Sequence, residues 1–566
     1  DMTGGTMYIY GELPNYEGSF YHSGGTINDY GYYREYDSGG GNYYGSGSAV
    51  FNFLGSDYIR LVRSGTYFND VNISGTYNLT SDCTQNMDIN GDMTITGSFD
   101  WNDPSVNIYC AGNWNSASGT VAYGSNCYMD GSTSRNITSG GNKHFSYLHV
   151  NKSSSSYGMT LNGNVRCEHM INDEGYYNVG SYTHTSDGVY YGYSGSQLRL
   201  SSGTINVNGS GGYSYASFYI QSGATENITG GNIYIRGYGA GTDCMDIDGN
   251  FTPTGGTVHI LGSTDPVYID GSGTLQFNNL TINRTADDDD VRLQRAIDAD
   301  NDLLISTGTL YAAGYNINVA GDWTNDGVFT HVNNDVIFDG SGTSIITGPS
   351  GGPSSMMSVG SQTSTYSSNI RGYWFQAPCD FTITGLRVPT DISGDQTIEI
   401  IRFNSGPPPT YSSTTNDFVS LGRWVGVAGT GIISTSISVT SGQYIGIYGC
   451  RGTTNSYGSG PYSTSIDGNA VTLTRSGMQY PLTTNTMQDV WQEPSGNISR
   501  VEMYYTTGGG GETFYDLTIN KTGSGVVNLG SNITVENEID ASATGATGGT
   551  SGGIVPGSYD INVPGS

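Results

Sequence analysis

The sequence predicts an all-β protein, a right-handed parallel β-helix (a solenoid) opened by an inserted jelly-roll-like β-sandwich. Three observations predict it. Apolar residues alternate with period two, the strand signal, and Leu-rich helical periodicity is nearly absent. Glycine occupies 87 of 566 positions and tyrosine 44, while only 12% of residues are charged, against about a quarter in ordinary soluble domains. A short phrase also recurs along the chain, and recurrence at 20–50 residues signals repeat architecture.

The phrase reads TGGTMYIYG at 3–11, SGGTINDYG at 23–31, SSGTINVNG at 201–209, TGGNIYIRG at 229–237, TGGTVHILG at 254–262 and STGTLYAAG at 306–314. Its second glycine moves from Gly5 to Gly25 and from Gly231 to Gly256, steps of 20 and 25 residues. A helix-free unit of that size is one coil of a parallel β-helix, with short strands and glycine or asparagine corners. A propeller or a series of sandwiches is the alternative. Irregular unit length and single-glycine corners favour the solenoid.

A second, longer phrase locates the insertion. AGNWN at 111–115 leads through DGS (130–132) and NIT to GGNKHFSYLHVNKS, ending at Ser153. AGDWTN at 320–325 leads through DGS (339–341) to IITG, and stops at Gly348. Its missing half, GGGGETFYDLTINKT, stands at 508–522. The second copy is therefore opened, and the expected division is solenoid over 1–348, sandwich over 349–507 and solenoid again over 508–566.

AGDWTNDGVFT, VIFDGSGTSIITG and TFYDLTINKT together resemble the repeats of large secreted bacterial surface proteins with parallel β-helix stalks, adhesin-like proteins among them. The resemblance covers 98–153, 267–285, 306–348 and 508–535 and is weaker in the first 70 residues. It implies an extracellular, structural or adhesive role and transfers no catalytic motif. RGYWFQAPCDFTITGLRVPTD in the insert is similar to a module of secreted bacterial proteins.

Inside the insert the GGT corners vanish and proline rises. FTITGLRV (381–388), QTIEIIRF (396–403), TSISVTSG (435–442) and QYIGIYG (443–449) follow one another at hairpin spacing, which argues for antiparallel sheets. A sandwich emerging from one coil projects sideways, as a binding decoration would.

Charge and cysteine narrow the partners. A net charge of −30, with lysine only at Lys143, Lys152 and Lys521, repels a nucleic-acid backbone, so no nucleic-acid partner is expected. No run of about 18 apolar residues exists, so no membrane span is expected. None of the seven cysteines forms a CxxC. Cys379 and Cys450 fall in the insert and are the expected disulfide. The other five are odd in number, so at least one stays unpaired or links chains.

The residues offer four chemistries. Glycan binding draws on aromatic rings with polar neighbours. The insert offers Tyr373, Trp374, Trp424, Tyr457, Tyr462, Tyr480 and Trp491. Tyr457 and Tyr462, in NSYGSGPYS, are expected to be exposed and to form the site with Trp424; the plain alternative makes Trp374 and Trp424 core. A subunit interface is expected from Tyr8, Tyr10, Tyr30 and Tyr32, since ten of the first 44 residues are tyrosine. Tyr559 and Ile561 are its expected counterparts at the other end.

Ca²⁺ is the one cofactor the sequence suggests. Asp287, Asp289, Asp298, Asp300 and Asp302 in TADDDDVRLQRAIDADNDL supply alternating oxygen ligands. A solvated acidic loop, partly neutralised by Arg292 and Arg295, is the plain alternative. Catalysis is not expected: the seven histidines are scattered, and no HExxH motif occurs. A polysaccharide lyase or hydrolase of the β-helix class is the remaining alternative.

The chain opens at Asp1 inside a pattern already under way, as a processed or truncated product would. GSYDINVPGS at 557–566 repeats AGYNINVAGD at 313–322. Open solenoid ends invite another copy, so the expectation is an extracellular or cell-surface fibre subunit polymerising head to tail. An adhesin stalk fragment binding surfaces or glycans is the rival.

Overall fold

A computed structural model describes residues 1–14, 18–36, 40–101, 106–122, 124–210, 216–237, 239–263, 266–285, 289–349, 355–367, 369–379, 381–478, 489–507, 511–522, 525–541, 553–557, 559 and 561–563. The chain is all β, a parallel β-solenoid with an inserted antiparallel sandwich. Among the described residues no helix is long and apolar enough to cross a membrane.

Each solenoid coil contributes strands to three faces. On the first face Ile27, Phe51, Val71, Met93, Trp114, Ile137 and Leu161 lie in register, each one coil beyond the last. On the second, Ile205, Ile233, Val258, Leu280, Leu303, Trp323 and Ile346 do the same. On the third, Ile108, Cys127, Leu148, Met170, Tyr190 and Phe218 align. All of these side chains point inward and are buried. The period-two alternation has this cause: one set of side chains stacks coil on coil while its neighbours face water. Leu303, fully buried between Leu280 and Trp323, illustrates the dependence. Leu303→Ala is expected to cost about 3 kcal/mol, read as a lower thermal midpoint.

The GGT phrase proves to be a corner rather than a face. Its copies at 3–11 and 23–31 stack on the first face, through Thr6 against Thr26. Those at 201–209, 229–237 and 254–262 stack on the second, through Thr204, Asn232 and Thr257. The copy at 306–314 lies on the third. Gly5, Gly25, Gly231, Gly256 and Gly308 have φ between 82° and 92°, a region L side chains rarely adopt.

The AGNWN phrase has its own physics. Asp92 N–H donates to Asp70 Oδ1 (2.9 Å), Asn113 N–H to Asp92 Oδ1 (2.8 Å), and Asn136 N–H to Asn113 Oδ1 (2.9 Å). Asn279, Asp302, Asp322 and Ile345 repeat the pattern (3.2, 2.9 and 2.8 Å). Each short side chain thus satisfies the backbone of the next coil. A Cβ on the preceding Gly112 or Gly321 would collide with the coil before it. Trp114 and Trp323 point inward, and each buried indole N–H finds a partner: Ser116 Oγ (2.9 Å) and Glu512 Oε2 (2.7 Å). The closing Asn-Lys of the phrase is a corner clamp. Buried Lys152 donates to the Asp130 carbonyl, and buried Lys521 to the Ala320 carbonyl (2.6 Å) and Ser344 Oγ (2.5 Å).

The two copies do not lie on the same faces. Trp114 continues the first face and Trp323 the second, so the second copy is turned by one face around the rod. Its opening is visible in the register. Strand Asp335–Phe338 pairs in parallel with Asp516 to Ile519, and Ser344–Thr347 with Val527–Leu529. Between Gly348 and Gly511 lie the sandwich strands, from Ser355–Met357 to Glu502–Thr507. The coil then resumes at Glu512–Ile519, where Phe514 packs on Trp323 and Phe329.

Candidate functional site

The glycan candidates in the sandwich are held apart. Tyr457 lies in strand Thr454–Gly458, Tyr462 in Tyr462–Ile466 and Trp424 in Phe418–Val427. In the sheet order the strands of Tyr457 and Tyr462 are separated by three others. Tyr457 is 7% exposed. Its ring stacks on Tyr366 at 5.5 Å, and the Arg475 guanidinium sits 5.4 Å from its centroid. Tyr462 is half-buried against the core and its hydroxyl bonds Ser358 Oγ at 3.1 Å. Trp424 is also half-buried against the core, its ring over Gly422. The expected exposed loop is therefore corrected: the two tyrosines belong to strands that flank it. Small residues in NSYGSGPYS leave space for neighbouring rings and guanidinia, which is why an open-looking sequence packs closed.

Tyr373 is core, and Trp374 is half-buried with its indole N–H on Gln492 Oε1 (3.1 Å). Trp491 is buried, 5.3 Å from the ring of exposed Tyr411. Tyr480 lies outside the described residues.

The expected disulfide is corrected too. Cys379 and Cys450 form no disulfide. Cys379 packs against the core between the sheets, whereas buried Cys450 belongs to a separate apolar cluster with Ile401, Phe403 and Phe418. A sheet separates the two thiols. The five solenoid cysteines are buried. Thiol titration of the folded protein is expected to label Cys379 first and the other six only on unfolding.

The acidic candidates do not converge. Asp287 lies outside the described residues. Asp289 precedes a third-face strand and Asp298 lies in first-face strand Ile297–Ala299, where it accepts from Gln276 Nε2 (2.9 Å). Asp300 is exposed at the following turn, and Asp302 is committed to the backbone of Asp322. Among the described residues no group of three or more His, Cys, Asp or Glu side chains is placed to hold a metal.

The tyrosine-rich coils carry ladders on the outside of the rod. Tyr8, Tyr10 and Tyr30 are exposed, Tyr10 at 78%. Tyr10 stacks on Tyr30 (5.0 Å, 10°), and Tyr21 on Tyr44 (5.0 Å). Tyr32 is half-buried, stacked on Tyr58 at 4.9 Å, with its hydroxyl donating to Glu12 Oε2 (2.8 Å). Within a ladder each ring covers its neighbour's face, so only a terminal ring offers a free face. At the other end Tyr559 is exposed and Ile561 pairs with Ile533.

The solenoid lumen holds a cysteine–histidine pair. Cys167 Sγ lies 3.9 Å from His184 Nε2, and His184 also bonds the Tyr177 hydroxyl and Ser186 Oγ (both 2.8 Å). Burial pushes the thiol up to about 12 and the imidazole down to about 3. All four side chains are sealed from solvent, so the pair serves as internal packing.

Sequence reasoning missed a cleft of about 750 Å³ lined by Thr390, Asp391, Ser393, Asp395, Thr430 and Thr454 over Arg451. Its residues come from segments about 40 and 20 positions apart. The one linear signal is an arginine closing an otherwise apolar strand, Tyr444–Arg451.

No protein-family model, curated protein or solved structure matches the chain.

Proposed function

We propose that the protein is an extracellular structural element: a stiff solenoid rod that holds its sandwich outward for display and stacks end to end into a fibre. The observation that carries this reading is the continuity of the coils across the insertion. Register from Asp335 opposite Asp516 to Phe338 opposite Ile519 is maintained although the sandwich leaves between them. A rod that tolerates such an excursion serves as a carrier, and the excursion is what it presents.

Stacking follows from strand edges. Among the described residues, strand Thr6–Ile9 pairs with Phe20–Asp29 alone, and Ile561–Asn562 with Ile533–Asp540 alone. A further coil, whether from the same chain or from another copy, satisfies such an edge. A contact between unlike ends does not close on itself and so propagates. The exposed Tyr10 ring, with Tyr30 behind it, adds an aromatic face to that contact. Electron microscopy at several protein concentrations tests the reading. Fibres with an axial repeat of one rod length support it. Single rods at every concentration overturn the stacking and leave the adhesin-stalk reading.

A further inference from the structure

The sandwich strands run between a stem end and a tip. Strand Glu502–Thr507 leads from Thr507 back to the coil at Glu512. Its antiparallel partner sets Phe381 opposite Thr507 and Arg387 opposite Glu502. Arg387 and Glu502 thus mark the tip, about 17 Å along the strand from the stem. The loop after Arg387 reaches Gln396, which pairs with Arg451, and the Val388 N–H donates to Gln396 Oε1 (2.9 Å). The cleft over Arg451 is therefore at the tip.

Arg451 builds the cleft. It is 2% exposed. Nε donates to the carbonyls of Val388 and Pro389 (3.1 and 3.0 Å), Nη1 to those of Gly394 and Gly429 (3.2 and 2.9 Å), and Nη2 to Val388 (2.8 Å). One side chain so fixes two loops that are far apart in sequence. Asp391 is fixed as well, by the Arg500 guanidinium and by Ser456 Oγ (2.8 Å). Sites held this firmly lose little freedom on binding.

We infer that this tip cleft binds the neutral sugar units of a glycan. The inference rests on the reading of the sandwich as a display module and names what it displays. The lining selects the ligand class. A sugar hydroxyl both donates and accepts, and the rim offers both: carboxylates of Asp391 and Asp395, hydroxyls of Thr390, Ser393, Thr430 and Thr454. A cation would face the Arg451 guanidinium, whose partners are all neutral carbonyls. A polyanion would face two carboxylates and a net charge of −30. Among the described residues Ile392 is the one hydrophobic side chain in the lining, beside threonine methyls and glycine backbone, so an apolar ligand would find no aliphatic or aromatic pocket.

The test uses the full chain on an array of neutral, uronate and sulfated glycans, followed by calorimetric titration with the strongest neutral ligand. Asp395→Ala removes an exposed carboxylate, and Thr430→Trp fills the cleft from an exposed loop position. Each is expected to weaken binding about tenfold or more, the weight of one or two hydrogen bonds, with unchanged melting. Retention of no neutral glycan, or of acidic glycans alone, overturns the ligand class. Native affinity in both variants overturns the site. Fibre formation is read separately, so failure of stacking leaves this result standing and the reverse.

Discussion

Relative to the native chain, Glu512→Gln is expected to gain about 3 kcal/mol of solenoid stability as pH rises from 4 to 8. Glu512 is the residue at which the chain resumes its coil after the sandwich. Its side chain is 2% exposed. One carboxylate oxygen accepts from Trp323 Nε1 (2.7 Å) and Asn325 Nδ2 (2.9 Å), the other from the Thr513 N–H (3.0 Å). Burial raises its pKa from 4.5 to about 7, and these hydrogen bonds offset only part of that rise. A carboxyl with a raised folded pKa binds its proton more tightly when folded. Its contribution is intact below the unfolded pKa of 4.5, is lost as pH rises towards 7, and stays lost above. Glutamine is uncharged like the protonated form and keeps an acceptor for the indole and Asn325, while its NH2 faces the Thr513 N–H, a cost that does not vary with pH. Asp29, Asp243 and Asp246, each pushed up to about 6 by burial, tilt native and variant alike, so the difference between the two isolates Glu512. Paired thermal melts across that pH range decide it; a difference that does not vary with pH refutes the assignment.

Arg451→Met is expected to cost the sandwich about 3 kcal/mol or more, because each buried carbonyl left without its donor costs about 1–3 kcal/mol. Methionine fills part of the volume and leaves the carbonyls of Val388, Pro389, Gly394 and Gly429 without their donor. Among the described residues the solenoid core shares no packing cluster with the sandwich core. The effect should therefore appear as an early calorimetric transition, with the solenoid transition in place. A single transition shifted as a whole would show that the two parts melt together.

The architecture was legible because coils repeat their solution. AGNWN and AGDWTN announce a shared corner, and the displaced ETFYDLTINKT marks where the chain left and resumed. Alternation reports which side chains point inward but not which of three faces they occupy, so the turn between the two copies is invisible in the sequence. Tyr457 shows a second limit: SYG reads equally as a loop tip or as a strand with room for Tyr366 and Arg475. Cys379 and Cys450 show a third, since membership of one domain does not place two thiols on the same side of a sheet. The tip cleft escapes for a stronger reason. Three loops form it, and the arginine joining them does so through backbone carbonyls, which carry no residue signature.

The one-face turn between the Trp114 and Trp323 phrases also governs direction. The sandwich leaves the rod after Thr347, between the second and third faces. The same word of the earlier copy ends at Thr138, on the first face. A module grafted there would point about a third of a turn away from the natural one. Along such a rod, the choice of coil sets not only how far out a decoration stands but also its heading.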